Sequence, residues 1–146
     1  MKKILLSSVA LLSLVTSLSV NSPVSAQESI SPKAYSHSNG SWIQSNGRWW
    51  YKHSDGSYTK NGWEKINETW YYFDSEGWMK TGWFNEYGNW YYLDDSGAMK
   101  TGWCLISGSW YYLNTSGVMQ TGLQTIEGKQ YYLADSGAMQ TGWHNI

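Results

Sequence analysis

Paired tryptophans recur along the chain at a spacing that suits the capture of an organic cation. The pairs are Trp42 with Trp49, Trp63 with Trp70, Trp83 with Trp90, and Trp103 with Trp110. The sequence holds eleven Trp and twelve Tyr but only two Phe, so it favours rings with polar edges and electron-rich faces. Such faces attract a quaternary ammonium, whose methyl groups are desolvated at little cost. A planar sugar also stacks on Trp, so a carbohydrate ligand is the alternative.

A repeat of 20 residues places these rings from Trp63 onward, and a looser first unit that begins at Trp42 is one residue longer. Each unit carries a Trp-Tyr-Tyr-Leu type of run between turns that contain Gly, Asn or Asp, which is typical of short strands joined by tight turns. An isolated hairpin is marginal in water, so neighbouring units must cover each other's apolar faces. The sequence therefore predicts an all-β fold, a solenoid of about five stacked β-hairpins.

The expected turn at Tyr87 and Gly88 fixes which side chains share a face of the hairpin. One face carries the residues expected to meet a ligand, which are Trp83, Trp90 and Tyr92. The other face carries the residues expected in the core, which are Phe84, Tyr91 and Leu93.

The two ends of the chain differ in composition from the repeats. Residues 1–26 combine a basic start, an apolar and serine-rich run and the small residues Val24-Ser25-Ala26, the pattern of a secretory signal peptide rather than a membrane anchor. Residues 27–40 are polar and predict a flexible leader. Residues 41–146 hold the repeats, and after the signal no stretch of sequence is long and apolar enough to span a membrane.

Charge and polar residues argue against nucleic acid binding and catalysis. The net charge of -1 becomes -3 when Lys2 and Lys3 leave with the signal, and no basic cluster is present in the sequence. The three histidines, His37, His53 and His144, lie in the leader, the irregular first unit and the closing stub, without metal-ligand spacing and without a partner nucleophile. The sequence therefore predicts neither an enzyme nor a metal or cofactor site.

Two further residue types have structural interpretations. Asp74, Asp95 and Asp135 lie in turns, where a short acceptor side chain forms local hydrogen bonds. Cys104 has no second cysteine to pair with, and we interpret it as a small apolar residue of a strand.

The repeat resembles a known family. The run from Thr81-Gly82-Trp83 through Trp90-Tyr91-Tyr92-Leu93 to Gly97-Ala98-Met99 is similar to the choline-binding repeat of pneumococcal and related surface proteins and of phage lysins. The resemblance covers almost all of residues 42–143. It implies a left-handed superhelix of hairpins, secreted and attached to the bacterial cell wall, that binds phosphocholine of teichoic or lipoteichoic acid.

In that family a binding slot takes both Trp of one unit, an aromatic residue of the next unit and often a Met. Carried onto this chain, the resemblance implies four sets: Trp63, Trp70 and Tyr92 with Met99; Trp83, Trp90 and Tyr112 with Met119; Trp103, Trp110 and Tyr132 with Met139; and Trp42, Trp49 and Tyr72. The second Tyr of each pair is chosen because it shares a face with the Trp residues. Tyr91, Tyr111 and Tyr131 are the alternatives.

Departures from the repeat change the expectation at three places. Leu123 and Gln130 replace both Trp of the fifth unit, so no slot is expected there. Lys52 and Tyr58 depart from the usual Leu and Met, which suggests that the first unit caps the stack. Glu68 replaces the turn Gly, which leaves Asn67 to shape that turn.

Glucan-binding repeats and clostridial toxin repeats share the Tyr-Tyr and Gly elements of this pattern. The double Trp and the Met of each unit favour choline over such a carbohydrate ligand. Dimerisation driven by the ligand stays open.

Overall fold

All regular secondary structure in the part of the chain that is described is β-strand. The computed structural model describes residues 3–6, 35–37 and 39–145. Five antiparallel hairpins follow in chain order: β3 (Gly40–Ser45) with β4 (Arg48–His53), β5 (Gly62–Ile66) with β6 (Thr69–Phe73), β7 (Gly82–Glu86) with β8 (Asn89–Leu93), β9 (Gly102–Ile106) with β10 (Ser109–Leu113), and β11 (Gly122–Ile126) with β12 (Lys129–Leu133). The predicted fold class is confirmed. Over these ranges the structure has no helix of the length and apolarity that membrane crossing requires.

Each hairpin turns through two residues with positive φ. In the third hairpin these are Tyr87 and Gly88, at 50° and 86°, and turns of this kind match the twist of paired strands. In the second hairpin Glu68 takes φ of 65° where the other hairpins have Gly. Asn67 precedes it at 47°, a conformation that Asn tolerates better than most residues.

The register of the third hairpin is the predicted one. Trp83 lies opposite Tyr92, and Phe84 lies opposite Tyr91. The face that carries Phe84, Tyr91 and Leu93 is buried, as the sequence predicted. The residue at the position of Leu93 is also fully buried in the next two units, where it is Leu113 and Leu133.

The linkers between hairpins turn on an acceptor side chain. Asp74 accepts backbone hydrogen bonds in the linker after β6, which confirms its role as a turn former. In the next linker the acceptor is Asp94, which receives the amide of Ser96 at 2.9 Å. The sequence assigned this role to Asp95. The acceptor is instead the residue one position earlier, which comes directly after strand β8.

Backbone hydrogen bonds join successive units into a solenoid. The amides that follow the second, third and fourth hairpins donate to the second strand of the preceding hairpin: Met79 to the Trp49 carbonyl at 2.7 Å, Met99 to Trp70 at 2.9 Å, and Met119 to Trp90 at 2.8 Å. These bonds satisfy strand edges that would otherwise be unpaired. They also bring each Met of the repeat next to the second Trp of the preceding unit.

Shorter strands lie outside the five hairpins. β1 (Lys3–Leu6) pairs with β14 (Gly142–Asn145), β2 (Tyr35–His37) runs parallel to β5, and β13 (Met139–Gln140) joins β12. The segment 27–40, predicted as a flexible leader, thus contains a strand. Most of the predicted signal peptide and leader lies outside the described residues, and these boundaries stay predictions.

Candidate functional site

The tryptophan that begins each of the first four units meets a tyrosine of the following hairpin. The ring centroids are 4.8 Å apart for Trp42 and Tyr71, 5.0 Å for Trp63 and Tyr91, 4.9 Å for Trp83 and Tyr111, and 4.7 Å for Trp103 and Tyr131. All four pairs meet edge to face, a favourable arrangement for aromatic rings. We call these junctions slots 1 to 4, in chain order.

The tyrosine that closes each slot is the first of its pair, not the second chosen from the sequence. The second tyrosines stay with their own hairpin: Tyr72 packs on Trp63 at 5.2 Å, Tyr92 on Trp83 at 5.1 Å and Tyr112 on Trp103 at 5.1 Å, while Tyr132 lies opposite Leu123. The reason is that the hairpins stack in one orientation. The Trp face of one unit therefore meets the opposite face of the next unit, and the first Tyr lies on that opposite face.

Slot 1 contains a cavity of about 370 Å³ that is open to solvent. Its lining combines three rings, a thioether and two polar residues of a more distant linker: Trp42, Trp49, Tyr71, Met79, Asp95 and Ser96. Trp49 is 38% exposed, so part of this wall is open to solvent. The first unit, expected as a cap, thus contributes two walls of a cavity.

Two slot 1 residues were missed from the sequence, and the repeat held the signal for both. Met79 occupies the repeat position of Met99, and Tyr71 that of Tyr91. Burial raises the pKa of Tyr71, so its phenol keeps its proton at neutral pH. No Lys or Arg is among the described residues that line this cavity.

Slot 2 is closed by the chain itself. Trp63 is only 2% exposed, and its ring centroid lies 5.3 Å from that of Phe84. Its indole nitrogen donates a hydrogen bond to Glu86 Oε2 at 2.8 Å. Trp70 and Met99 pack against the same buried cluster. The structure therefore buries Trp63, because Phe84 and Glu86 cover its ring, and this burial disfavours the prediction that Trp63 contacts a ligand.

Slot 3 retains exposed aromatic surface. Trp83 and Tyr111 are half-buried, and Trp90 is 44% exposed. Trp83 and Met119 both pack against the buried cluster that contains Cys104. Burial raises the pKa of the Cys104 thiol, which agrees with its interpretation as a small apolar residue.

Slot 4 has half-buried Trp103 and Trp110, closed by the buried Tyr131, and Met139 lies in the short strand β13. A groove of about 420 Å³ runs along these two Trp residues on the side of Tyr92. In the fifth unit Leu123 is 42% exposed and presents no ring face.

The structure brings a hydroxyl to His53, which the sequence had left without a nucleophile. Ser57 Oγ lies 2.8 Å from His53 Nδ1, and Glu64 Oε1 lies 2.8 Å from Nε2. The Ser57 hydroxyl, however, donates to Asp55 at 2.6 Å, so its proton points away from the imidazole. Hydrogen bonds from Ser57 lower the pKa of the Asp55 carboxyl. The group closes a turn and has no free nucleophile.

Metal ligands do not gather in the part of the chain described. Among those residues no three His, Cys, Asp or Glu side chains lie close enough together to hold an ion.

A stack of β-hairpins with aromatic slots at its junctions defines a repeat module of the ligand-binding type. Residues 60–102 match the choline-binding repeat family, and residues 101–119 and 121–139 match the putative cell wall binding repeat. The chain belongs to the family of choline-binding repeat proteins.

Solved structures agree with this family. The chain is 41% identical to choline-binding protein F from Streptococcus pneumoniae, with a TM-score of 0.67 over 72% of this chain and 39% of the other. It is 40% identical to CbpJ from Streptococcus pneumoniae TIGR4, with a TM-score of 0.68 over 75% and 38%. It is 41% identical to the pneumococcal cell wall endolysin from phage Cp-1 complexed with choline, with a TM-score of 0.62 over 73% and 32%.

The chain spans less than two fifths of the length of these three structures. The part that it shares with them is the set of binding repeats. No match was found among curated protein sequences.

Proposed function

We propose that the repeats bind the choline groups of cell-wall teichoic or lipoteichoic acid and attach the protein to the bacterial surface as a non-catalytic module. The observation that carries this proposal is slot 1, where Trp42, Trp49 and Tyr71 surround a cavity of about 370 Å³ and none of the described residues that line it is cationic. Slots 3 and 4 repeat the same ring arrangement. The proposal leaves out slot 2, because its leading residue, Trp63, is buried.

The chemistry of these slots suits a trimethylated nitrogen. Each ring face contributes about 0.5 to 2 kcal/mol to cation binding, so three rings offer roughly 2 to 6 kcal/mol before the entropic costs of association. Asp95 adds a carboxylate to the slot 1 lining. A single slot is therefore a weak site.

Several weak sites become effective on a polymer. Teichoic acid that displays many choline groups would engage successive slots, and the second contact is then intramolecular, with a gain of about 100-fold or more in avidity. Export by the predicted signal peptide would bring the module to the wall. This arrangement suits attachment rather than catalysis.

A carbohydrate ligand is the competing function, and a choline affinity column separates the two. We expect the protein to bind the column and to elute with free choline but not with dextran. Leu123→Ala, a change in the unit that lacks both Trp, serves as the control and should elute like the wild type. Elution by dextran, or failure to bind, would contradict choline recognition.

A further inference from the structure

An aromatic cavity outside the four slots lies at the N-terminal end of the stack. It measures about 200 Å³ and is lined by Trp50, Tyr58, Glu76 and Trp78. The rings of Trp50 and Tyr58 meet edge to face, with their centroids 5.3 Å apart. We call this the end cavity.

The end cavity corresponds to a slot without a leading hairpin. Trp50 and Tyr58 occupy the repeat positions that Tyr71 and Met79 occupy in slot 1. In the other slots a preceding hairpin supplies two Trp walls, but the sequence has no Trp before Trp42. Trp78, a residue of the following linker, provides an indole in their place.

Each residue of the end cavity departs from the repeat toward a larger aromatic surface or a negative charge. The residues at the same positions in neighbouring units are Tyr71 for Trp50, Met79 for Tyr58, Ser96 for Glu76 and Ala98 for Trp78. Packing alone does not require a carboxylate at position 76, because the Glu76 side chain is 71% exposed. Three rings and one carboxylate form the chemical environment that an organic cation prefers.

Cations of the chain already lie on these surfaces. The Arg48 guanidinium carbon is 4.2 Å from the Trp78 ring centroid, and Arg48 is 3.7 Å from Glu76. The Lys60 ammonium lies 4.9 Å from the Tyr58 ring centroid. Arg48 is 56% exposed, and an exposed pair of this kind is weak. A ligand cation can therefore displace it.

We propose that the end cavity binds a methylated ammonium group, with Trp50, Tyr58 and Trp78 as its walls and Glu76 as its counter-charge, in competition with Arg48. The ligand class rests on the proposed function, whereas the location rests on the end cavity alone. A methylated ammonium is favoured over a bare one because it is more weakly hydrated and covers more ring surface.

The test is a choline titration of the full chain, followed by the indole N–H signals in two-dimensional NMR. Trp50 and Trp78 report on the end cavity, and Trp83 and Trp90 report on slot 3. We expect the first pair to shift with one common dissociation constant. Glu76→Ser should weaken that constant about threefold and Trp78→Ala about fivefold or more, while slot 3 is unchanged.

Arg48→Thr should change the affinity of the end cavity in the opposite direction. Thr is the residue at the equivalent position 69, and loss of the competing guanidinium should tighten binding in the end cavity about threefold or more. Trp50 and Trp78 signals that stay still while those of Trp83 and Trp90 shift would overturn the end cavity and leave the proposed function intact. If no indole signal moves, both proposals fail. Weaker choline binding at the end cavity in Arg48→Thr would show that Arg48 does not compete with the ligand.

Discussion

The indole nitrogen of Trp63 is hydrogen-bonded to Glu86 of the next hairpin at 2.8 Å. At the position of Glu86 the neighbouring units carry an apolar residue, as Ile66 and Ile106. Phe84 packs on the same indole. Together these two substitutions in the repeat convert a slot into core.

We therefore expect Trp63→Ala to reduce stability without loss of a choline site. Removal of a buried Trp side chain leaves a cavity, and the free energy of unfolding should fall by about 3–5 kcal/mol. Urea unfolding measures that change. Calorimetric titration with choline, at a temperature where the variant is still folded, counts the binding sites. Loss of one site with an unchanged free energy of unfolding would show that slot 2 is open.

The identity of the closing tyrosine gives a second prediction. Tyr111→Leu should abolish binding at slot 3, because it removes the ring that faces Trp83 at 4.9 Å. Tyr112→Leu is the matched control, since the Tyr112 ring packs on Trp103 of its own hairpin, and it should leave slot 3 intact. The Trp83 and Trp90 indole N–H signals in a choline titration distinguish the two. The opposite pattern would restore the assignment made from the sequence.

The repeat determines much of the fold, because the two-residue turn sets the register of each hairpin. The predicted pairs of Trp83 with Tyr92 and Phe84 with Tyr91 follow from the position of Gly88, and the structure has them. The buried face, with Leu93 at its centre, follows from alternation along the strand.

The relation between hairpins was harder to predict. Cross-strand pairing shows which residues share a face of one hairpin, but it does not show which face of the next hairpin packs against that face. The sequence therefore favoured the second Tyr of each pair, which shares a face with the Trp residues of its own unit. The closure of slot 2 depends on Phe84 and Glu86 acting together on Trp63, a contact between residues 21 and 23 positions apart in sequence. Nothing in the repeat pattern alone reports such a contact.

Tyr72 gives a prediction for alkaline pH. Burial, together with the negative charge of Glu86, raises the pKa of Tyr72 from 10.0 to about 12. The folded state therefore holds this proton at pH values where the unfolded state has lost it. The resulting stability is complete below pH 10 and is lost between pH 10 and 12.

Tyr72→Phe removes this titration. Urea midpoints measured from pH 8 to pH 11.5 should fall less steeply in the variant than in the wild type. At pH 8 the variant should be the less stable of the two, because it lacks the side-chain hydrogen bond between Tyr72 and Glu86. Parallel pH curves for the two proteins would contradict the raised pKa.

The buried contact between His53 and Glu64 joins the first and second hairpins. His53 Nε2 lies 2.8 Å from Glu64 Oε1, with both side chains buried. His53→Ala and Glu64→Ala should each lower the free energy of unfolding by about 3–5 kcal/mol, because the remaining partner is left buried without its counterpart. The double variant should lose less than the sum of the two. Additive losses in denaturant unfolding would mean that the contact contributes no coupling.

The most direct test of choline recognition is calorimetric titration of the protein and of the double variant Trp83→Ala and Trp90→Ala with choline. Both indoles belong to slot 3, and Trp90 is among the more exposed rings. We expect the variant to lose one site's worth of heat while the remaining slots bind as before. An unchanged stoichiometry and heat in the folded variant would contradict it.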